Sequence, residues 1–342
     1  MPPVGFAVLG LGTLAQTAIL PAFQGVQRTR LVALVSRDLE KARRLASLHG
    51  VPCAYDSLQE CLENPQVEAV YIATPPGNHF QEAEEVALAR RHVLCEKPLA
   101  VTAPEAAEMA AICARQGVLL MTAYRKCFEP SMVFIRDLIL SGRLGALKIL
   151  HASFSERHAL PQTSPPWILD RRLAGGGPLM DLGIYCVHAA RWLAGEIPFR
   201  VSAFQWTHDR SLFREVEEGI AFSMYFPSGL VAQASTCYSA ALSSMLYLEG
   251  THGSVSLTPA FPYEHVRLLN ARLGDELVNK DFPVVDEFRP QIDAFSHAIR
   301  GGPLPSSCGV DGYVDMAIIE AIYGAAEAGI PQAVKLHYST EN

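Results

Sequence analysis

The segment that most restricts how this chain can fold is Gly10-Leu-Gly12-Thr-Leu-Ala15, set directly behind an apolar, strand-like run from Val4 to Leu9. Gly10 permits a tight turn, Gly12 lets a backbone approach a pyrophosphate, and Ala15 is small enough for close helix–strand packing. Such a turn aims the positive end of a helix at phosphate groups, but it means a dinucleotide site only inside a strand–turn–helix unit. The sequence supplies that context. Thr13–Gln24 has a helical pattern, Leu31–Val35 reads as a second strand and Asp38–Leu48 as a helix. Ala69–Ala73, His92–Cys95 and Val118–Thr122 are further short strands, with Phe80–Arg91 as an intervening helix. Thr102 with Glu105 makes a capping box, and Pro104 falls in the first turn of the helix that follows. Strand–helix–strand repetition predicts an α/β domain with a doubly wound parallel sheet, a Rossmann domain over residues 1–122.

After residue 122 the pattern changes. A helix near Ser131–Leu140 leads into alternating segments at Ala146–Phe154, Val201–His208, Ile220–Phe226, Val231–Tyr238 and Met245–Glu249. Phe226-Pro-Ser-Gly229 and Glu249-Gly-Thr-His-Gly253 are hairpin signals, and helices near Pro290–Arg300 and Asp311–Ala328 finish the chain. Residues 123–342 are therefore expected to form an α+β domain on an antiparallel sheet, with the C-terminal helices able to pack back on the first domain. Two domains is also what 342 residues suggest at about 150 per domain.

Lys and Arg number 28 against 35 Asp and Glu, a formal charge of −7 with no long run of one sign. Neither nucleic acid nor a membrane surface is expected as a partner. Apolar residues at 49% and charged residues at 18% suit a well-cored soluble protein. No apolar run reaches the roughly 18 residues of a membrane span. The N-terminus enters its first strand without a basic segment or cleavage site, so no export signal is expected and the expected location is cytoplasmic. The eight cysteines are scattered without a C-x-x-C pair and read as reduced, mostly core thiols. The eleven histidines show no metal-ligand spacing, and no metal site is expected.

In a doubly wound sheet, ligands gather at the carboxyl edge, so the residues leaving each strand matter. The second strand ends in Ser36-Arg37, with Lys41 one helical turn on, where an NAD site usually carries an acid for the ribose hydroxyl. A carboxylate there would repel a 2′-phosphate, whereas serine, arginine and lysine would bind one, which favours NADP over NAD. Asp38 is open to two readings: a cap on the next helix or, with a slip of two residues, the ribose acid. Thr74-Pro-Pro-Gly-Asn-His79 is a stiff loop suited to a cofactor floor or to a plain turn. Glu96-Lys97-Pro98, by itself, is a surface ion pair as readily as a catalytic site. Gly175-Gly-Gly-Pro-Leu-Met-Asp181 reads as a loop able to wrap a ligand. On the helix behind it, Leu179, Leu182, Cys186, Ala189 and Leu193 form one stripe and Asp181, Tyr185 and His188 another. The second stripe is either a buried network or the wall of a polar pocket.

Together with Ala123-Tyr-Arg-Lys-Cys-Phe-Glu-Pro130, these motifs in this order resemble the glucose–fructose oxidoreductase / inositol dehydrogenase / MocA (Gfo/Idh/MocA) family, from Val4 to about Val334. Within that family the chain is most similar to the glucose–fructose oxidoreductase and dihydrodiol/xylose dehydrogenase branch. The resemblance implies a Rossmann domain followed by a domain with a large open sheet that forms the face of a homodimer or homotetramer. It also implies hydride transfer between NADP and a sugar or related polyol. Implied cofactor contacts are Gly10, Gly12, Thr13, Leu14, Ser36, Arg37, Lys41, Thr74, Pro75, Asn78, His79, Glu96, Lys97 and Arg125, with Trp167 and Arg172 lining the nicotinamide or substrate cleft. Lys97 corresponds to the family's catalytic lysine, with a cis bond to Pro98, and Asp181 to its acid near the substrate. Tyr185 stands where inositol-dehydrogenase-like members carry a catalytic histidine and this branch carries tyrosine. His188 joins Lys97, Asp181 and Tyr185 as an implied substrate contact. Loops such as Ser155–Pro166 leave the sugar unspecified, and Arg157, Arg171 and Arg172 leave a phosphorylated one open.

A free phenol, with a pKa of about 10, is a poor base at neutral pH. An ammonium about 4 Å away contributes roughly 4 kcal/mol at an effective dielectric of about 20, enough to lower a phenol by up to about three units before desolvation opposes it. The expectation is that Tyr185 exchanges the proton, Lys97 tunes it and grips the hydroxyl, and Asp181 orients sugar or lysine. Lys97 and Tyr185 would then titrate as a pair. A non-catalytic NADP(H)-responsive sensor would need the glycine turn but no proton relay. An NAD-dependent inositol- or dihydrodiol-type dehydrogenase would keep the relay and change the cofactor. A thiol-dependent aldehyde dehydrogenase using Cys95, Cys127 or Cys186 is disfavoured because those residues sit in apolar or helical patterns.

Overall fold

The computed structural model describes residues 2–157 and 166–336. They fall into two units, one of residues up to Arg125 together with Asp286–Tyr313, the other of Lys126–Val285 together with the residues from Val314 on.

In the first unit six strands run parallel: β1 (Val4–Leu9), β2 (Thr29–Val35), β3 (Cys53–Tyr55), β4 (Ala69–Ile72), β5 (His92–Cys95) and β6 (Leu120–Thr122). Their order is β3-β2-β1-β4-β5-β6, so the direction of winding reverses between β1 and β4. Every residue of β1 and β4 is buried, as expected of strands covered on both faces. The crossovers are α1 (Leu20–Ala22), α2 (Leu39–His49), α3 (Leu58–Glu63), α4 (His79–Leu88) and α5 (Ala103–Gln116). The capping box behaves as read, with Thr102 accepting from the Glu105 N–H at 3.3 Å. Gly50 and Gly117 close α2 and α5 in the left-handed region, at φ +67°.

The second unit holds β7 (Leu147–Ser155), β8 (Arg200–Trp206), β9 (Gly219–Tyr225), β10 (Val231–Cys237), β11 (Ser243–Gly250), β12 (Gly253–Thr258), β13 (Arg267–Leu273), β14 (Glu276–Phe282) and β15 (Gln332–Ala333). Their order is β14-β13-β12-β11-β7-β10-β9-β8-β15, antiparallel throughout except for the β7–β10 pair. Burial alternates along β13, so one face of the sheet is covered and the other is not. The expected hairpins form at β9–β10, where Gly229 takes φ +84°, and at β11–β12. The sequence reading did not anticipate the pair β13–β14, which Gly274 turns at φ +65°. The helices here are α6 (Pro130–Leu140), α7 (Arg171–Ala174) and α8 (Ile184–Ala194), the last packed on β7 and β10.

Two helices follow the large sheet, α9 (Phe288–Ile299) and α10 (Gly309–Ala328). The first belongs to the Rossmann unit, against β2. It is fastened there by Ser296 Oγ, 2.8 Å from Thr29 Oγ1, and by Gln291 Nε2, which donates to Tyr71 Oη at 2.9 Å. All eight cysteines are free. No helix among the described residues is long and apolar enough to cross a membrane.

Candidate active site

Gly10 is forced to be glycine by its surroundings. Its φ is +91°, and a Cβ would stand 2.7 Å from the Ala73 carbonyl at the exit of β4. Its N–H donates to the Val35 carbonyl at 3.1 Å, so this one residue locks the exit of β1 against both neighbouring strands. Gly12 is different. A Cβ there would meet nothing within 4 Å, so the protein's own packing does not ask for glycine. Its open side fits a group that must approach the backbone closely, as a dinucleotide pyrophosphate does. Thr13 and Leu14 follow, then a π-helical turn, Ala15–Ile19, where the sequence predicts ordinary α-helix. Gln16 N–H donates to the Gly12 carbonyl at 3.1 Å and Thr17 Oγ1 to the Thr13 carbonyl at 2.9 Å. The N–H groups of such a first turn have no partner within the helix.

At the exit of β2, Asp38 is the cap of α2. Its carboxylate accepts from the Lys41 N–H at 2.9 Å, which accounts for it as a capping residue. Ser36 Oγ accepts from the Asp38 N–H at 3.2 Å, Arg37 is exposed and Lys41 half-buried. Nearby, Thr74 Oγ1 donates to Glu82 Oε2 at 2.5 Å. Burial pushes the Glu82 carboxyl up to about 7, against the opposing pull of Thr74 and the Arg37 charge. No sequence signal marked Glu82.

Pro75 precedes and Asn78 ends a single 3-10 turn, Pro76–Asn78, and both are half-buried, whereas His79 is 0% exposed. Its Nε2 lies 2.9 Å from the Thr74 carbonyl and its Nδ1 3.0 Å from the Pro98 carbonyl. His79 therefore ties the loop after β4 to the loop after β5. Burial lowers its pKa, and a neutral ring donates to only one of those carbonyls at a time.

The Lys97–Pro98 bond is cis, as the family resemblance implied. Lys97 is half-buried, and Glu96 beside it lies inside the protein rather than on the surface. Glu96 is buried, accepts from Tyr71 Oη at 2.7 Å and, through its other oxygen, from the Lys97 N–H at 3.2 Å. Burial raises its pKa, while Tyr71 and the Lys97 charge work the other way. Arg125 is buried too, ion-paired with Glu287, its guanidinium 5.6 Å from the Phe288 ring centre.

In the second unit the triple glycine is explained by two side chains the sequence reading missed. Gly175 ends α7 at φ +80°. A Cβ on Gly176 would lie 2.1 Å from Tyr323 Oη, and one on Gly177 would lie 2.4 Å from the Glu217 carbonyl oxygen. The buried Glu217 carboxylate accepts from Gly177 N–H at 2.9 Å, Leu179 N–H at 3.1 Å and Tyr323 Oη at 2.9 Å. Burial raises its pKa and those donors oppose the rise. The glycines thus admit a clamp on the helix start that follows.

That start is again π-helical, Leu179–Gly183, and carries Asp181; α8 then carries Tyr185 and His188. Tyr238 Oη donates to Asp181 Oδ2 at 3.2 Å. The Tyr185 ring packs 5.7 Å from Phe154 and 6.1 Å from Phe261, centre to centre. Asp181 and Tyr185 are half-buried, so this unit keeps both partly accessible. His188 instead turns inward, with Nδ1 2.7 Å from Asp315 and Nε2 3.1 Å from Cys127. Trp167 is half-buried in the 3-10 turn Pro166–Leu169, and Arg172 is exposed at the start of α7. Most of the Ser155–Pro166 loop lies outside the described residues.

A sheet of this order, with an open glycine turn at its winding reversal, defines a dinucleotide-binding domain of the Rossmann class. Residues 4–124 match the model of the oxidoreductase family with an NAD-binding Rossmann fold, and residues 132–256 match the GFO/IDH/MocA C-terminal domain. The chain belongs to the Gfo/Idh/MocA oxidoreductase family. It is 30% identical to D-xylose 1-dehydrogenase [NADP(+)] of Haloarcula marismortui, over 95% of this chain and 91% of that one. Among solved structures it is similar to the aldose-aldose oxidoreductase of Caulobacter crescentus complexed with glycerol, at TM-score 0.91 and 36% identity, covering 97% of this chain and 99% of that one. It is also similar to KijD10, a 3-ketoreductase of Actinomadura kijaniata in complex with NADP and TDP-benzene, at TM-score 0.84 and 25% identity, over 94% and 98% of the two chains.

Proposed function

We propose that this chain is an NADP-dependent oxidoreductase that moves a hydride between nicotinamide and a carbinol or carbonyl carbon of a sugar or related polyol. One observation carries the reading. The carboxyl edge of the first sheet combines the open turn at Gly12, a β2 exit that carries Arg37 and Lys41 and whose Asp38 is engaged as a helix cap, and a lysine beside buried Glu96. The names of the relatives, NADP-linked xylose dehydrogenase and aldose-aldose oxidoreductase, support the cofactor and the substrate class.

The bound nicotinamide accepts or supplies the hydride. The backbone at Gly10, Gly12, Thr13 and Leu14 meets the pyrophosphate, and Ser36, Arg37 and Lys41 hold the 2′-phosphate. Thr74, Pro75 and Asn78 form the floor, with His79, Glu96 and Arg125 supporting it from beneath. The Lys97 ammonium grips the substrate hydroxyl and favours loss of its proton, Tyr185 exchanges that proton, and Asp181, steadied by Tyr238, orients the sugar. Trp167 and Arg172 line the substrate side, and His188 anchors the helix that carries Tyr185. The enzyme works in the cytoplasm as a homodimer or homotetramer joined through the large sheet. Ile149, Phe204, Met245, Leu268 and Leu277, all exposed on the uncovered face of that sheet, support this pairing.

The test is a spectrophotometric screen of sugars and polyols with NADP and NAD in parallel. Turnover of at least one sugar, with kcat/KM favouring NADP about tenfold or more, is expected, and Lys97→Met and Tyr185→Phe should each lower kcat by about a hundredfold. Both variants remaining within tenfold of wild type would overturn the assignment.

A further inference from the structure

Cys127 lies in the second unit with its Sγ 3.1 Å from His188 Nε2. The other ring nitrogen stands 2.7 Å from Asp315 Oδ2, and Asp315 Oδ1 accepts from Arg191 Nε at 2.6 Å. Three segments converge here: the turn holding Cys127, α8 with His188 and Arg191, and α10 with Asp315. Exposures are 8% for Cys127, 3% for His188 and 0% for Asp315, so all three are buried and the cysteine is the residue of the three with the most exposure. A thiol, an imidazole and a carboxylate in line form the arrangement in which a thiol hands its proton to a ring oriented by an acid. The acid fixes the tautomer, so that Nε2 faces sulfur as the acceptor.

The electrostatics agree with the geometry. Burial alone would make His188 less basic, yet Cys127 and Asp315 outweigh it and hold the ring at about 9. Burial likewise pushes Asp315 up, and the charges of Arg191 and His188 bring it down to about 2. At neutral pH the orienting acid is ionised, and a ring held that high retains the proton it takes from sulfur. Burial pushes Cys61 and Cys113 up to about 12, and Cys95 and Cys186 well above the ordinary thiol range.

We propose that Cys127 is a covalent modification site, a nucleophilic thiol activated by His188 and Asp315 that takes small soft electrophiles. His188 Nε2 accepts the thiol proton and the sulfur bonds to the electrophilic carbon. With iodoacetamide the C–I bond breaks, iodide leaves with the bonding pair, and His188 keeps the proton. The inference shares His188 with the hydride-transfer reading, where it anchors the helix that carries Tyr185, but its readout is independent of turnover.

The full native chain is treated with iodoacetamide at pH 6, 7 and 8, with N-acetylcysteine in the same tube, and each cysteine is quantified by peptide mass spectrometry. The reference thiol should react about tenfold faster per pH unit over this range, whereas the Cys127 rate should change by less than about threefold and exceed the reference at pH 6. His188→Gln, checked for folding by circular dichroism, should slow Cys127 at pH 6 by about tenfold or more. Two results on wild-type protein overturn the proposal: a Cys127 rate rising in step with the reference, or no labelling of Cys127 until the chain is denatured.

Discussion

Glu82, in the first turn of α4, shows how one half-buried carboxyl can set the pH response of a whole chain. Burial pushes it up to about 7, far above the roughly 4.3 of a solvated glutamate. The folded form thus holds this proton to higher pH than the unfolded form. Stability from this group is complete below about pH 4 and is lost as pH climbs through 7. Glu82→Gln keeps an acceptor for Thr74 and never ionises, so between pH 5 and 8 it should lose less stability than wild type. The difference at pH 8, read by urea unfolding, is expected on the order of 2–3 kcal/mol; parallel pH curves would show a well-hydrated carboxyl. Asp315 has the opposite sign. Against burial, Arg191 and His188 hold it at about 2, so its contribution is complete above about pH 4 and lost as pH falls through 2. Asp315→Asn leaves a buried guanidinium and imidazole without their counter-charge, and about 3–5 kcal/mol should be lost at pH 7 in the same assay. Neither residue was legible in the sequence. Nor were Glu217 and Tyr323, which meet although 106 positions apart, because periodicity reports which face is apolar and says nothing of which distant polar groups pair. Gly10 was legible because it stands where a recognisable strand ends, whereas Lys97 at its own strand end read as a surface pair until the family motif singled it out.

At the level of the element, both ligand-directed motifs of the sequence open with a π-helical turn, Ala15–Ile19 and Leu179–Gly183. Such turns are rare and concentrate at functional sites. A reading that steps 100° per residue cannot see them, so the alignment of Asp181 with Tyr185 and His188 held only in part: Asp181 and Tyr185 stay half-exposed while His188 turns inward. The glycine loop was found for a different reason than the one that requires it. Gly177→Ala would set a Cβ 2.4 Å from the backbone oxygen of Glu217, which cannot swing aside. A loss of about 3 kcal/mol is expected. Gly50→Ala, at φ +67° with nothing within 4 Å, should cost only about 1 kcal/mol. Thermal melts of the two variants compare clash with conformational strain directly; equal shifts would mean the loop has room to relax. The β13–β14 hairpin escaped notice because Arg267–Phe282 mixes Arg, Asn, Glu, Lys and Asp among its apolar positions, leaving too weak an alternation.

At the scale of the whole chain, the doubly wound sheet was readable because parallel strands joined by short helices admit few topologies. The route of the chain was harder to read. The Rossmann unit is discontinuous in sequence: Gln291 reaches Tyr71, Ser296 reaches Thr29 and Glu287 pairs with Arg125. A fragment ending at Arg125 lacks all three partners. It should show a broad, weak urea transition, whereas residues 1–125 joined by a flexible linker to 286–313 should unfold in a single sharp one. Identical transitions would make α9 dispensable.

The nine-stranded sheet has a further consequence for how the protein behaves when crowded. An open array that wide has two raw margins, and a long bare margin invites stray chains to add themselves on. Here one margin ends in the two-residue stub Gln332–Ala333, and the other is a strand carrying Glu276, Lys280 and Asp281. Ions on one border and brevity on the other deny newcomers a template, so neutralising the β14 border is the change most apt to turn a concentrated solution cloudy.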